Sequence, residues 1–128
     1  LKIAIKHHPN YMLTNDISSK YFSNLKFLDD PMDKILRKTE ILISFSSSSI
    51  EDALTSKIPV ILFDPWKRYK HTKAEQNFKK NNKCIYYINK KKNLLNAIKT
   101  IKVSKKINFD NYVYPYSVKE NINNLINK

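Results

Sequence analysis

Residues 40–63 read EILISFSSSSIEDALTSKIPVILF, which is two apolar runs on either side of a serine run and a helical pattern. The first apolar run, residues 40–45, is almost continuous, which is typical of a strand buried on both faces of a parallel sheet. Residues 50–56 carry apolar side chains at helical spacing. The second run, residues 59–63, begins with proline, at the strand position where proline is tolerated. The pattern predicts a strand–helix–strand unit with a right-handed crossover.

The rest of the chain continues this alternation of strands and helices. Further strands are predicted at residues 1–6, 25–28 and 83–88, and helices at residues 16–22, from Asp30-Pro31 onwards, at 91–102 after an Asn89 cap, and at 117–126, with partial helix around 74–78. This order predicts an α/β fold, a Rossmann-like open parallel sheet with helices on both faces. We expect residues 1–128 to form a single domain. Leu1 already lies inside an apolar alternation, so we expect that domain to be the C-terminal part of a longer, two-domain protein.

Composition excludes several kinds of site. The chain has 128 residues, of which 41% are hydrophobic and 27% charged, as in a globular domain. It contains no glycine, which excludes a Walker A loop and a G-x-G-x-x-G fingerprint. Its one cysteine, Cys84, excludes an internal disulfide and a multi-cysteine zinc site, and is predicted to be a small core residue. We expect no bound metal, because no carboxylate pair is spaced near His71 as a ligand set would require.

The charge is strongly basic, at +13, which is typical of proteins that bind nucleic acid, an anionic membrane surface or a phosphorylated ligand. Of the 24 basic residues only Arg37 and Arg68 are arginine, the residue that best contacts phosphate and guanine. This scarcity disfavours nucleic acid as a partner. Lysine, asparagine and isoleucine all have A/T-rich codons, so coding bias on solvated faces is the alternative explanation of the charge.

Three polar turns follow predicted strands, at residues 7–9, at 46–49 and at 64–65. In open α/β sheets, ligands bind outside the carboxyl ends of the strands. We therefore expect these turns to converge at one edge of the sheet and to form the ligand site there.

The serine run is the strongest candidate for a phosphate-binding turn. Ser46, Ser47, Ser48 and Ser49 join a buried strand to a helix N-terminus, where free backbone N–H groups and the helix dipole favour an anion. Their hydroxyl groups add further donors. The alternative is that one serine caps the helix and the others fill a tight turn.

Two histidines and two acidic residues are the remaining candidates. His7 and His8 are consecutive, so in an extended segment at most one of them faces the ligand edge; the alternative is a strand end without a role. Glu51 and Asp52 open the predicted helix, where a carboxylate could accept hydrogen bonds from ribose hydroxyls. The helix dipole alone also favours acidic residues there.

The segments IKHHPN and ILISFSSSSIEDALTSKIPVILFDP, some 35 residues apart, resemble the C-terminal, donor-binding domain of GT-B glycosyltransferases. The likeness is to bacterial sialyltransferases, polysialyltransferases, Kdo transferases and CDP-glycerol glycerophosphotransferases of capsule, lipopolysaccharide and teichoic-acid synthesis. These share a His-Pro motif and a Ser-Ser/Thr motif that contact the donor nucleotide and phosphate. By this resemblance, His8 with Pro9 forms the first motif, and Ser47, Ser48 and Ser49 hold the second.

The same resemblance extends through the helix that follows the serines. In the wider GT-B pattern an acidic residue before Ala-Leu binds donor ribose; Asp52 stands there in place of the usual Glu, and Glu51 is the alternative. Lys57 occupies the position of a turn glycine. The stretch Glu75-Gln76-Asn77 is weakly similar to a Gln-Asn patch near the donor sugar.

The resemblance implies a transferase that moves a sugar or polyol phosphate from a CMP- or CDP-linked donor to a bacterial surface glycan. Its partners would be the nucleotide-sugar donor and the glycan acceptor, with no further cofactor. It would be cytoplasmic and peripheral to the anionic inner face of the membrane. His8 would be the catalytic residue, acting on the leaving phosphate, whereas the general base would belong to the N-terminal domain. The alternatives are a non-enzymatic module for nucleic acid or anionic membrane, and a sugar-nucleotide epimerase-like domain.

Overall fold

The computed structural model describes residues 2–6, 25–45, 47–68, 74–76, 80, 82–104 and 106–110. The chain divides into two compact units, Leu1–Ile35 and Leu36–Lys128. The helices predicted at residues 16–22 and 117–126 lie outside the described residues.

The first unit contains a short parallel strand pair. Strand β1 (Ala4–Ile5) pairs with β2 (Lys26–Phe27), and the backbone N–H of Leu28 donates to the carbonyl of Ile5 at 2.9 Å. Both strands fall inside the predicted ones. Helix α1 (Met32–Leu36) follows, and the Pro31 carbonyl accepts from the N–H of Ile35. The helix therefore begins just after Pro31, close to its predicted start.

The second unit is a three-stranded parallel sheet with two longer helices. Its elements are β3 (Leu42–Ser44), α2 (Ser49–Thr55), β4 (Val60–Phe63), β5 (Ile85–Ile88) and α3 (Lys91–Val103), with strand order β3-β4-β5. The register pairs Ile43 with Ile61 and Ile61 with Tyr86. The predicted strand–helix–strand unit and the parallel α/β organisation are confirmed. The described ladders form two sheets, whereas the sequence predicted one.

The core lies on both faces of β4 and β5. On one face a cluster joins the two strands to α3; its members are Ile61, Tyr86, Ile88, Ala97, Ile98 and Ile101. Because side chains alternate along a strand, Val60 and Leu62 lie on the other face, and they are equally buried. Helix α2, which contacts β3 and β4, buries Ile50, Ala53 and Leu54. Burial on both faces explains the continuous apolar runs of β4 and β5. The same prediction for residues 40–45 was wrong, because β3 is an edge strand of this sheet and Ile43 is 43% exposed.

Two other local predictions were wrong. Residues 74–76 are not helical: Glu75 forms a parallel bridge with Tyr86, donating its N–H to Ile85 and accepting from Tyr87. Pairing with the edge of β5 overrides the local helical preference. Asn89 is not the N-cap of α3; Lys90 holds that position in an extended conformation, and its carbonyl accepts from the N–H of Asn93.

Cys84 is buried beside the start of β5, as predicted for a core residue. Loss of solvent raises the pKa of its thiol to about 11, although a backbone hydrogen bond and the charge of Lys83 act in the opposite direction. The thiolate is the reactive form of cysteine, so this side chain is a packing group rather than a nucleophile at neutral pH.

The turn between α2 and β4 has a backbone geometry that favours glycine, although Lys57 stands at the critical position. The N–H of Ile58 donates to the carbonyl of Ala53 and the N–H of Lys57 to that of Leu54, which is a Schellman motif. Lys57 takes φ 57°, in the left-handed region. A side chain with a Cβ carries a steric penalty there, so this turn is strained by its own residue type.

We expect Lys57→Gly to raise the free energy of unfolding by about 1 kcal/mol, because glycine removes the left-handed penalty but gains freedom in the unfolded chain. Urea denaturation would measure this. Lys57→Ala is the control, since it removes the same charge but keeps the Cβ, and it should give no such gain. An equal gain from alanine would attribute the effect to charge instead of backbone conformation.

Candidate functional site

The candidate site is the edge where the carboxyl ends of β3, β4 and β5 meet. Three described segments leave the sheet there, residues 47–49 after β3, residues 64–68 after β4 and residues 89–90 after β5. The predicted contributions of His7, His8 and Pro9, and that of Ser46, lie outside the described residues, and so they stay predictions.

The serine turn is organised around Ser47. Its Oγ accepts from the backbone N–H of Ser49 at 3.2 Å and from the Ser49 hydroxyl at 2.9 Å. The Ser47 carbonyl also accepts from the N–H of Ile50. Ser47 thus performs the capping role for α2, since Ser48 is already helical (φ −58°, ψ −18°) and makes no side-chain cap hydrogen bond.

Capping leaves donors of the serine turn facing solvent. Ser47 Oγ accepts both bonds from Ser49, and among the described residues no acceptor takes its own hydroxyl proton. Ser48 is exposed. Capping by Ser47 and hydrogen bonding to a ligand oxygen by the same turn are therefore compatible.

Glu51 and Asp52 are exposed in the first turn of α2, as predicted. The backbone N–H groups of both residues donate to the Ser48 carbonyl, at 3.1 and 3.3 Å. Their position fits stabilisation by the helix dipole. It also leaves both carboxylates accessible from solvent.

Asp64 is a fully buried carboxylate at the carboxyl end of β4, with 0% of its surface exposed. The Tyr87 hydroxyl donates to Asp64 Oδ2 at 3.0 Å. Among the described residues, Oδ1 has no hydrogen-bond donor. Burial raises the pKa of Tyr87, and the neighbouring Asp64 charge and hydrogen bond raise it further, so the phenol stays protonated and donating.

Arg68 contacts residues that directly follow strands β3 and β4. Its Nε lies 3.8 Å from Asp64 Oδ1, and its guanidinium carbon lies 4.1 Å from the Phe45 ring centroid and 5.0 Å from that of Trp66. Phe45 is the residue after β3 and precedes Ser47 by two positions. The guanidinium is therefore beside the start of the serine turn.

The sequence pointed to the turn at residues 64–65 but not to the roles of Tyr87 and Arg68. Arg68 was noted only for its residue type. One sequence signal could have identified Asp64: it is an acidic residue directly after a continuous apolar run, a position at the end of a buried strand. Of the weaker motif, Glu75 pairs with Tyr86 of β5, and Asn77 lies outside the described residues.

The other features of the described structure are weaker candidates for a functional site. A concavity lined by Glu40, Ile41, Pro59, Ile101, Lys102 and Ile107 lies at the opposite, amino-terminal ends of β3 and β4, where Lys102 pairs with Glu40 at 3.1 Å. Nowhere in the described ranges do three or more metal-ligating side chains cluster. Each helix in those same ranges is too short or too polar to cross a lipid bilayer.

No protein-family model matches the chain, and no curated protein or solved structure is significantly similar to it.

Proposed function

We propose that this chain is the donor-binding half of a GT-B glycosyltransferase. It would transfer a sugar or polyol phosphate from a CMP- or CDP-linked donor to a bacterial surface glycan of the capsule or lipopolysaccharide type. It would act in the cytoplasm, peripheral to the inner face of the membrane. The observation that carries this proposal is the serine turn, which follows a parallel strand, caps a helix through Ser47 and exposes Ser48 to solvent.

The chemistry expected of this edge is stabilisation of a leaving phosphate. As the bond to the nucleotide breaks, negative charge builds on the phosphate oxygens, and hydrogen-bond donors fixed in advance lower the barrier. Ser47 and Ser48 would supply hydroxyl donors. By the resemblance, His8 of the His-Pro motif would be a further donor, and Asp52 or Glu51 would accept from ribose.

Nucleotide titration of the chain, followed by amide NMR shifts, tests the proposal. CMP and CDP should give saturable shifts centred on residues 47–52, with weaker effects from UDP and GDP. Ser48→Leu should raise the Kd by about tenfold or more, because it removes a donor and blocks the turn. Ser56→Leu is the matched control at the other, exposed end of α2, and it should leave the Kd unchanged.

The competing function is a non-enzymatic basic module, which the charge of +13 favours. Binding to nucleic acid or anionic membrane would weaken steeply with salt and would not depend on Ser48. Absence of saturable shifts with all four nucleotides, together with salt-sensitive, Ser48-independent binding to RNA or anionic vesicles, would contradict the transferase proposal.

A further inference from the structure

We infer that Arg68 is a phosphate-binding residue of this site, and that Asp64 and Tyr87 are the residues that position it. The inference deepens the proposed function and rests on it: the ligand class is the phosphate or diphosphate of the donor nucleotide. The resemblance assigned no role to any of these residues.

The guanidinium of Arg68 contacts two rings and a carboxylate, and within the described ranges its terminal nitrogens have no acceptor. The Phe45 and Trp66 rings lie against it, and Nε faces Asp64. Among the described residues, no acceptor forms a hydrogen bond with the terminal nitrogens. The Arg68 side chain is 52% exposed, so an anion in solvent can reach that fork. A planar fork of donors is the group that binds phosphate in a bidentate manner.

The distance to Asp64 indicates a positioning contact rather than a closed ion pair. Charge-assisted hydrogen bonds between a guanidinium and a carboxylate are about 2.7–2.9 Å long, whereas Nε and Oδ1 are 3.8 Å apart. Tyr87 holds the other carboxylate oxygen in place. The buried carboxylate therefore attracts Arg68 toward the sheet edge without using up its donors.

Arg68 lies beside the start of the serine turn. Its contact with Phe45 places the guanidinium at the residue that leads into Ser47, whose hydroxyl proton also has no acceptor among the described residues. A single phosphate group could then accept from both residues. Lysine cannot replace arginine in this role, because an ammonium group has neither the flat face that stacks on rings nor the bidentate fork.

The test compares two probes, inorganic pyrophosphate and CDP, by calorimetric titration at moderate salt. Arg68→Lys keeps the charge but removes the fork, and it should raise the Kd for both probes by about tenfold. Arg37→Lys is the matched control at the other arginine and should change neither Kd. Trp66→Ala removes one stacking ring from a side chain that is 73% exposed, so it should weaken binding with little effect on folding.

The positioning role has its own readout. In Asp64→Asn the attraction is lost, so the Nε–H resonance of Arg68 should shift and broaden even before ligand is added. A purely structural Asp64 would lower stability without changing that resonance. Circular dichroism and the thermal midpoint would show that Arg68→Lys is folded.

The outcomes separate the inference from the proposed function. Tighter binding of CDP than of pyrophosphate by the wild type, with loss of both probes on Arg68→Lys, supports both. CDP binding that is unchanged in Arg68→Lys overturns the inference and leaves the function standing. Arg68-dependent binding of pyrophosphate without any preference for nucleotide supports the anion site and contradicts the nucleotide-sugar function. Failure of the wild-type chain to bind either probe overturns the inference.

Discussion

Ile61→Ala is expected to lower the free energy of unfolding by about 3 kcal/mol, within the range of about 2–5 kcal/mol typical of such truncations. Ile61 is fully buried in β4, the middle strand of its sheet. It packs in the cluster that contains Tyr86 and Ile98. Alanine would leave a cavity between the sheet and α3 that neighbouring side chains on rigid strands cannot fill. Urea denaturation followed by circular dichroism would measure the loss.

Ile43→Ala provides the matched control for this prediction. Ile43 is the residue paired with Ile61 in the adjacent strand, and it carries the same side chain, but 43% of its surface is exposed. The same truncation there should cost about 1 kcal/mol or less. Similar losses from the two variants would show that the α3 face of β4 is not the main core.

Tyr87→Phe is expected to lower the free energy of unfolding at neutral pH by about 1–3 kcal/mol, because the buried Asp64 carboxylate loses a hydrogen-bond donor. The donated bond is 3.0 Å long and both groups are buried, so solvent cannot readily replace it. Tyr86→Phe is the control. Its hydroxyl donates to the carbonyl of Lys80, an uncharged acceptor on an exposed residue, so its loss should cost less.

Tyr87→Phe should also change how the free energy of unfolding depends on pH in the alkaline range. Burial raises the pKa of Cys84, Tyr86 and Tyr87 above their ordinary values of 9.0 for the thiol and 10.0 for the phenols. As the pH rises past these ordinary values, the unfolded chain loses protons that the native chain keeps. The free energy of unfolding is therefore full below about pH 9 and falls as the pH increases toward the raised values.

Tyr87→Phe removes one of these three titrations, so its stability should fall less steeply between about pH 10 and 11 than that of the wild type. Denaturation midpoints measured at intervals from pH 7 to 11 would show the difference in slope. Parallel curves for the two proteins would mean that the Tyr87 phenol ionises equally in the folded and unfolded chains, contrary to its buried hydrogen bond with Asp64.

Much of the secondary structure of the second unit could be predicted from local sequence patterns. The continuous apolar runs predicted β3, β4 and β5, and helical spacing predicted α2 and α3, because burial on one or both faces leaves a period in the sequence. The positions of these strands and helices are therefore encoded in the sequence of each segment itself. The left-handed φ of Lys57, by contrast, was not predicted from the local pattern; the resemblance alone marked this residue as standing at a turn-glycine position.

The remaining features depend on pairing between distant residues. The bridge at Glu75 requires the edge of β5 to be present before residues 74–76 have a reason to extend. The bond between Asp64 and Tyr87 depends on the register of β4 with β5, which places Tyr87 beside Leu62 and on the same face as Asp64. No periodicity within either strand contains that register, so the buried carboxylate and its donor were not assigned from the sequence.

The outer edge of β5 has a consequence for self-association. One segment reaches it through a single bridge, Glu75 to Tyr86, and takes up the Ile85 carbonyl and the Tyr87 N–H, two backbone groups that a foreign strand would need. Continuous growth by strand addition requires a free edge on each side of the sheet. The bridge at Glu75 therefore hinders strand addition at the middle of the β5 edge, and with it the continuous growth of a fibre through this sheet.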